Sequence, residues 1–138
     1  MFQNKKIVVV MPAYNAEKTL IKTYNEVMAQ GIVDLVIFVD DASSDNTAKV
    51  AAGLPQTKLH VHKRNLGYGG NQKTCYRLAL DAGADIVIMV HPDYQYTPKL
   101  IPAMVSMISA GLYHCVLGSP HTGRIRLERR HACLEIYR

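Results

Sequence analysis

Residues 86–98 read IVIMVHPDYQYTP. The apolar run Ile86–Val90 stops at His91-Pro92-Asp93, and Thr97-Pro98 then opens a helix with Thr97 as cap and Pro98 in its first turn. A strand without polar alternation is one buried on both faces, as in a parallel sheet flanked by helices. In open α/β sheets the ligand crevice lies outside the carboxyl ends of the strands. The imidazole of His91, the carboxylate of Asp93 and the amide of Gln95 therefore fall where a ligand would sit.

Upstream, the same pattern repeats. Lys6–Met11 (KIVVVM) is a β-branched run, followed by a helix from a cap at Asn15 to about Gln30, with Gly31 as its stop. Leu35–Val39 is a second buried strand ending in Asp40-Asp41. Ser43 or Ser44 caps a short helix to about Ala52, and Lys58–Lys63 is a third strand. Arg64–Gly70 is a glycine-rich turn into a helix from about Asn71 to Ala82. Downstream, the helix opened by Thr97 runs to Ala110 and Tyr113–Leu117 is a fifth strand. Strand and helix alternating through short connections predict a doubly wound α/β fold, mainly parallel. The boundaries are one domain over 1–118 and a basic appendage over 119–138, whose apolar positions do not continue the pattern.

Composition excludes several classes. At 138 residues, 49% of them hydrophobic, the chain buries a core of its own. Cys75, Cys115 and Cys133 are odd in number and scattered, which gives no disulfide framework and fits a cytoplasmic setting. The formal charge of +5 is mostly a property of residues 124–138, which carry five Arg against Glu128 and Glu135, so no nucleic-acid surface is indicated. The N-terminal apolar run is too short for a signal peptide and breaks at Pro12. Leu100–Gly123 holds no formal charge, but Pro102, Ser106, Ser109, Gly111, Tyr113 and His114 dilute it, and a helix plus a short strand accounts for it better than a membrane span.

Three polar clusters sit at strand ends: Pro12-Ala13-Tyr14-Asn15 with Glu17, Asp40-Asp41, and His91-Pro92-Asp93 with Gln95. Each alone reads as a strand-to-helix turn with a capping side chain. Together at one sheet edge they can converge on a ligand. Their chemistry suits a nucleoside diphosphate. Asp41 and Glu17 can accept from a base N–H or a ribose hydroxyl, and Asp93 is a hard oxygen ligand for a divalent ion bridging phosphates. Gln95 adds an oxygen, His91 a nitrogen, and Lys73 near a helix start can meet a phosphate. Tyr94 and Tyr96 could stack on a base or sugar, or pack beside the crevice. His60 and His62 alternate onto one strand face; with no third ligand in sight they read as a solvent-facing edge rather than a metal site. Cys75 reads as core, and no GxxxxGK[ST] loop exists.

Lys6–Asn15 (KIVVVMPAYN), Glu17, Val39–Thr47 (VDDASSDNT), Asn65-Leu66-Gly67 with Gly69, and the strand ending in His91-Pro92-Asp93 together resemble family 2 glycosyltransferases of the GT-A fold, in the branch of dolichol- and polyprenyl-phosphate mannosyl- and glucosyltransferases. The resemblance covers about residues 5–119. It implies a Rossmann-like nucleotide-sugar domain in which Pro12, Ala13, Tyr14 and Glu17 line the nucleoside pocket and Asp41 reads the base. Asp93 matches the second carboxylate of the family's D-x-D metal motif, and Gln95 the ligand after it. The implied cofactor is Mn2+ or Mg2+ and the donor a UDP- or GDP-sugar, transferred with inversion. The implied acceptor is a lipid phosphate, reached peripherally at the inner face of a membrane.

This sequence departs from the pattern at His91, which stands for the first Asp of that motif and implies a tilt from Mg2+ toward Mn2+. Tyr68 replaces a common basic residue, and Ser119-Pro120 diverges where an arginine and an acceptor-binding half would follow. A non-catalytic nucleotide-sugar-binding module is the alternative. A phosphoacceptor receiver domain would need its acidic pair after the first strand, where this chain has none. The sugar, the base, the acceptor and the oligomeric state are left open by the sequence.

Overall fold

The computed structural model describes residues 1–93 and 96–118 and the strand at 134–137. In chain order the elements are β1 (Ile7–Ala13), α1 (Leu20–Met28), β2 (Leu35–Asp40), α2 (Thr47–Ala52), β3 (Thr57–Val61), α3 (Gly67–Asp81), β4 (Ile86–Met89), a 3-10 turn (Pro98–Leu100), α4 (Ile101–Ser109), β5 (Cys115–Gly118) and β6 (Leu134–Tyr137). They form one sheet in the order β3-β2-β1-β4-β6-β5. β1 runs parallel to β2 on one side and to β4 on the other, with Val10 opposite both Ile37 and Met89. β3 is parallel to β2 and closes that edge.

The unbroken apolar runs became the sheet centre because helices cover both faces. Successive side chains of a strand point to opposite faces, and the core divides accordingly. Ile7, Val9, Met11, Val36, Phe38, Ile86 and Ile88 pack on one side with Leu20, Tyr24 and Val27 of α1 and Ile101, Met104, Val105 and Ile108 of α4. Val8, Val10, Ile37, Val39, Val87 and Met89 pack on the other with Cys75 and Ala79 of α3. Cys75 is fully buried, as expected, and desolvation pushes its thiol up to about 12. Tyr96 also belongs to the core.

Several element boundaries differ from the sequence reading. α1 begins at Leu20, not after Asn15, because Asn15 takes φ +50° and spends its side-chain oxygen on the Ser44 N–H at 3.0 Å. α3 starts at Gly67, whose φ of +74° makes the turn, four residues before the expected Asn71. Thr97 does cap: its hydroxyl accepts from the Lys99 N–H at 3.4 Å. Within Leu100–Gly123, the described part is the end of the 3-10 turn, α4 and β5, and among the described residues no helix is long and apolar enough to cross a membrane.

Part of the segment read as a basic appendage, residues 134–137, forms a strand of the sheet. β6 lies between β4 and β5 and is antiparallel to both, with Ile88 opposite Ile136 and Val116 opposite Ile136 on the other side. A four-residue strand is too short to show a period, and its partners are distant in sequence, which is why the pattern hid it. Residues 119–133 and 138 lie outside the described residues, as do Tyr94 and Gln95.

Candidate functional site

Parallel strands deliver their carboxyl ends to one rim, and there a cavity of about 410 Å³ opens. The turn after β1 contributes Pro12, Ala13, Tyr14, Asn15 and Ala16, and Thr19 follows. The end of β2 contributes Asp41, and the glycine-rich turn contributes Asn65, Gly67, Tyr68 and Asn71. The end of β4 contributes His91, Pro92 and Asp93. The carboxylates of Asp41 and Asp93 thus belong to one cavity, on opposite sides of β1.

The turn after β1 is held by the loop after β2. The Asn15 N–H donates to Ser43 Oγ at 2.9 Å, and the Ala16 N–H to the buried Thr47 Oγ1 at 2.8 Å. The two aspartates of Asp40-Asp41 divide their work. Asp40 accepts from the Ser43 N–H at 3.1 Å and from the Ser43 hydroxyl, which shapes the loop. Asp41 is 3% exposed and its Oδ1 accepts from the Leu66 N–H at 2.8 Å, which ties the glycine-rich turn to β2. Ala42, which follows the pair and precedes Ser43, sits at φ +59°, in the left-handed region. Asn71 fixes the start of α3 by donating from Nδ2 to the Val39 carbonyl at 3.0 Å. The turn after β4 is anchored from α1, where the buried Thr23 hydroxyl donates to the Pro92 carbonyl at 3.4 Å.

Of the residues singled out in the sequence, Pro12, Ala13, Tyr14, Asp41, His91 and Asp93 line this cavity; Glu17 and Lys73 do not. Glu17 instead receives the Asn46 N–H at 3.1 Å and the Asn46 side-chain amide at 3.0 Å, so its carboxylate serves the start of α2. Lys73 is exposed on α3. Gln95 lies outside the described residues. His62, read from alternation as part of a solvent-facing edge, is buried at 9% exposure, with Nδ1 2.8 Å from Asp41 Oδ1. Alternation reports which strand face a residue shares, not whether a helix N-terminus covers that face. Asn15, from the first strand-end cluster, and Asn65, from the glycine-rich turn, also line the cavity, as does Asn71, which the sequence pattern marks only as the start of a helix.

His91 stacks on Tyr68, ring centroids 5.4 Å apart, with the Tyr68 hydroxyl 3.2 Å from His91 Nε2. Asp93 is exposed at the rim beside it. Among the described residues no three His, Cys, Asp or Glu side chains form a metal site by themselves. One carboxylate beside one imidazole fits an ion that shares its coordination with ligand phosphates, the usual mode for Mg2+.

A mainly parallel sheet whose strands β1, β2 and β4 end in polar groups on one rim defines a class by fold. The mannosyltransferase PcManGT from Pyrobaculum calidifontis, solved with GDP-Man and Mn2+, superposes with a TM-score of 0.68 at 19% identity, over 80% of this chain and 34% of its own. The fold is that of the GT-A glycosyltransferases. Residues 8–134 match the model of glycosyl transferase family 2, and the chain belongs to that family. It is 30% identical over 132 residues to a UDP-N-acetylglucosamine–dolichyl-phosphate N-acetylglucosaminyltransferase of Methanococcus voltae, covering 84% of this chain. It is likewise 30% identical to protein RfbJ of Shigella flexneri, covering 86% of this chain. The chain spans about half the length of the first relative (52%) and 88% of the second.

Proposed function

We propose that this chain binds a UDP- or GDP-sugar and transfers the sugar, with inversion, to an acceptor such as a polyprenyl phosphate at a membrane surface. The observation that carries this reading is that Asp41 and the His91–Asp93 turn, at the ends of strands on either side of β1, share one cavity. The Methanococcus relative is named for a dolichyl-phosphate acceptor and a UDP-sugar, and the Pyrobaculum neighbour holds GDP-Man and Mn2+, which supports the same chemistry here.

Asp41, carboxylate to an N–H or hydroxyl, would take the nucleoside end, and Pro12, Ala13 and Tyr14 would wall it. Asp93, with His91 and Gln95, would hold Mn2+ or Mg2+ at the diphosphate end. A cation bound there supplies charge neutralisation on the departing diphosphate. Asp93 also excludes a second anion from its side of the cavity unless a cation intervenes. A lipid phosphate is already an anionic nucleophile, so the site needs no general base.

The deciding assay is release of UDP or GDP from nucleotide sugars with Mn2+ and a polyprenyl-phosphate acceptor. Turnover is expected; binding without turnover would leave a nucleotide-sugar-binding module. Asp93→Ala should abolish the metal-dependent part of UDP or GDP affinity in calorimetry with the melting temperature unchanged. Equal affinity in mutant and wild type would remove Asp93 from the site.

A further inference from the structure

His62 stands one residue past β3, the edge strand of the sheet, yet it is buried. Its N–H donates to the Asp40 carbonyl at 2.9 Å, which continues the β2–β3 pairing to the rim. Its ring spans two elements. Nδ1 is 2.8 Å from Asp41 Oδ1, and Nε2 is 3.0 Å from Thr74 Oγ1 on α3. Thr74 is itself buried and its hydroxyl lies 3.2 Å from the Gly70 carbonyl.

These contacts restrict Asp41 in a specific way. An ionised carboxylate only accepts, so the nitrogen facing it carries the proton. Nδ1–H and the Leu66 N–H both point at Oδ1. Among the described residues no hydrogen bond reaches Oδ2, and Asp41 is part of the cavity wall. A carboxylate clamped from two directions through one oxygen cannot rotate without breaking a buried hydrogen bond.

We infer that His62 is a positioning residue for nucleoside recognition: it locks Asp41 so that Oδ2 faces the cavity as a fixed acceptor, and the ligand must present an N–H or hydroxyl there. This rests on the reading of the cavity as a nucleoside diphosphate site. The donor is either a base N–H or a ribose hydroxyl. Thr74 completes the lock by holding the far side of the ring, which couples the acceptor to the helix that follows the glycine-rich turn.

Two substitutions separate this role from that of a plain tether between β3 and α3. His62→Asn keeps a donor near the position of Nδ1 and loses the reach to Thr74; His62→Gln keeps the reach to Thr74 and loses the donor to Asp41. Calorimetry with Mn2+ compares UDP, GDP and inorganic pyrophosphate on each protein. For the better nucleotide, His62→Gln should weaken binding about tenfold and His62→Asn less than threefold, with pyrophosphate unchanged in both. The 2′-deoxy and base-N-methylated analogues of that nucleotide identify the donor: the analogue insensitive to His62→Gln lacks the group that Asp41 reads. Equal losses for nucleotide and pyrophosphate, or an Asn variant as damaged as the Gln variant, would reduce His62 to a tether.

Wild type binding no nucleotide more tightly than pyrophosphate would bring down the nucleotide reading itself, a separate result. Nitrogen-15 spectra of the wild-type imidazole give a check that needs no variant to fold. Nδ1 should be protonated with and without nucleotide, and its signal should move on adding the nucleotide but not pyrophosphate. An unprotonated Nδ1 would overturn the lock.

Discussion

Ala42 carries a backbone conformation that alanine rarely adopts, φ +59°, between Asp41 and Ser43 just past the end of β2. The left-handed region costs an L-residue roughly 1–2 kcal/mol, and here it turns the chain after Asp41 so that Ser43 comes back to Asp40, while Asp41 holds Leu66 and His62. Ala42→Gly removes the strain and adds backbone entropy to the unfolded chain. A net gain of about 0.5–1 kcal/mol in urea unfolding is expected. A loss of stability would show that the Cβ makes contacts worth more than the strain. The sequence showed the acidic pair but not its division of labour, because two adjacent carboxylates are chemically alike until the backbone between them is known.

At the scale of elements, the site depends on one loop holding another. Asp45 joins the loop before α2 to the turn after β1, accepting from the Glu17 N–H at 3.2 Å and the Thr47 N–H at 2.9 Å. The hydrogen bond from the Thr47 hydroxyl, opposed in part by desolvation and helped by those N–H groups, holds its carboxyl below the usual range. A depressed carboxyl pKa gives stability that is complete above the unfolded value, about 3.9, and is lost as the pH falls through the folded value. Wild type should therefore melt above Asp45→Asn at pH 6, and the gap should close as the pH drops below about 4. A gap that stays constant from pH 6 to pH 3 would mean that the carboxylate charge does not hold the loops.

Helix starts were the least legible elements. Asn15, Ser43 and Ser44 all have capping chemistry, and all three bond across the two loops instead of capping a helix.

For the molecule as a whole, stability is concentrated in the sheet centre. Phe38 is fully buried and packs on Tyr24 of α1 with ring centroids 6.2 Å apart. Phe38→Ala should cost about 3–5 kcal/mol in denaturant unfolding, and a loss under 1 kcal/mol would show that the two helical layers repack freely. The parallel centre was legible because Val8–Met11, Val36–Val39 and Ile86–Val90 lack polar alternation, which only double-sided burial explains. The rim was legible because two of those runs lead into carboxylates, Asp40-Asp41 and Asp93, and the first into Tyr14-Asn15. His62 and β6 were not, since each depends on a partner far away in sequence: Thr74 on α3 for one, β4 and β5 for the other.

The placing of β6 also sets an order of events during synthesis. Among the described residues β5 pairs with the sheet only through β6, so its four residues are made before the strand they pair with. Until residue 137 has emerged, β4, whose carboxyl end leads into His91 and Asp93, has one edge open. A chain cut after Gly118 would keep the four parallel strands β3-β2-β1-β4 and leave β5 without the strand it pairs with.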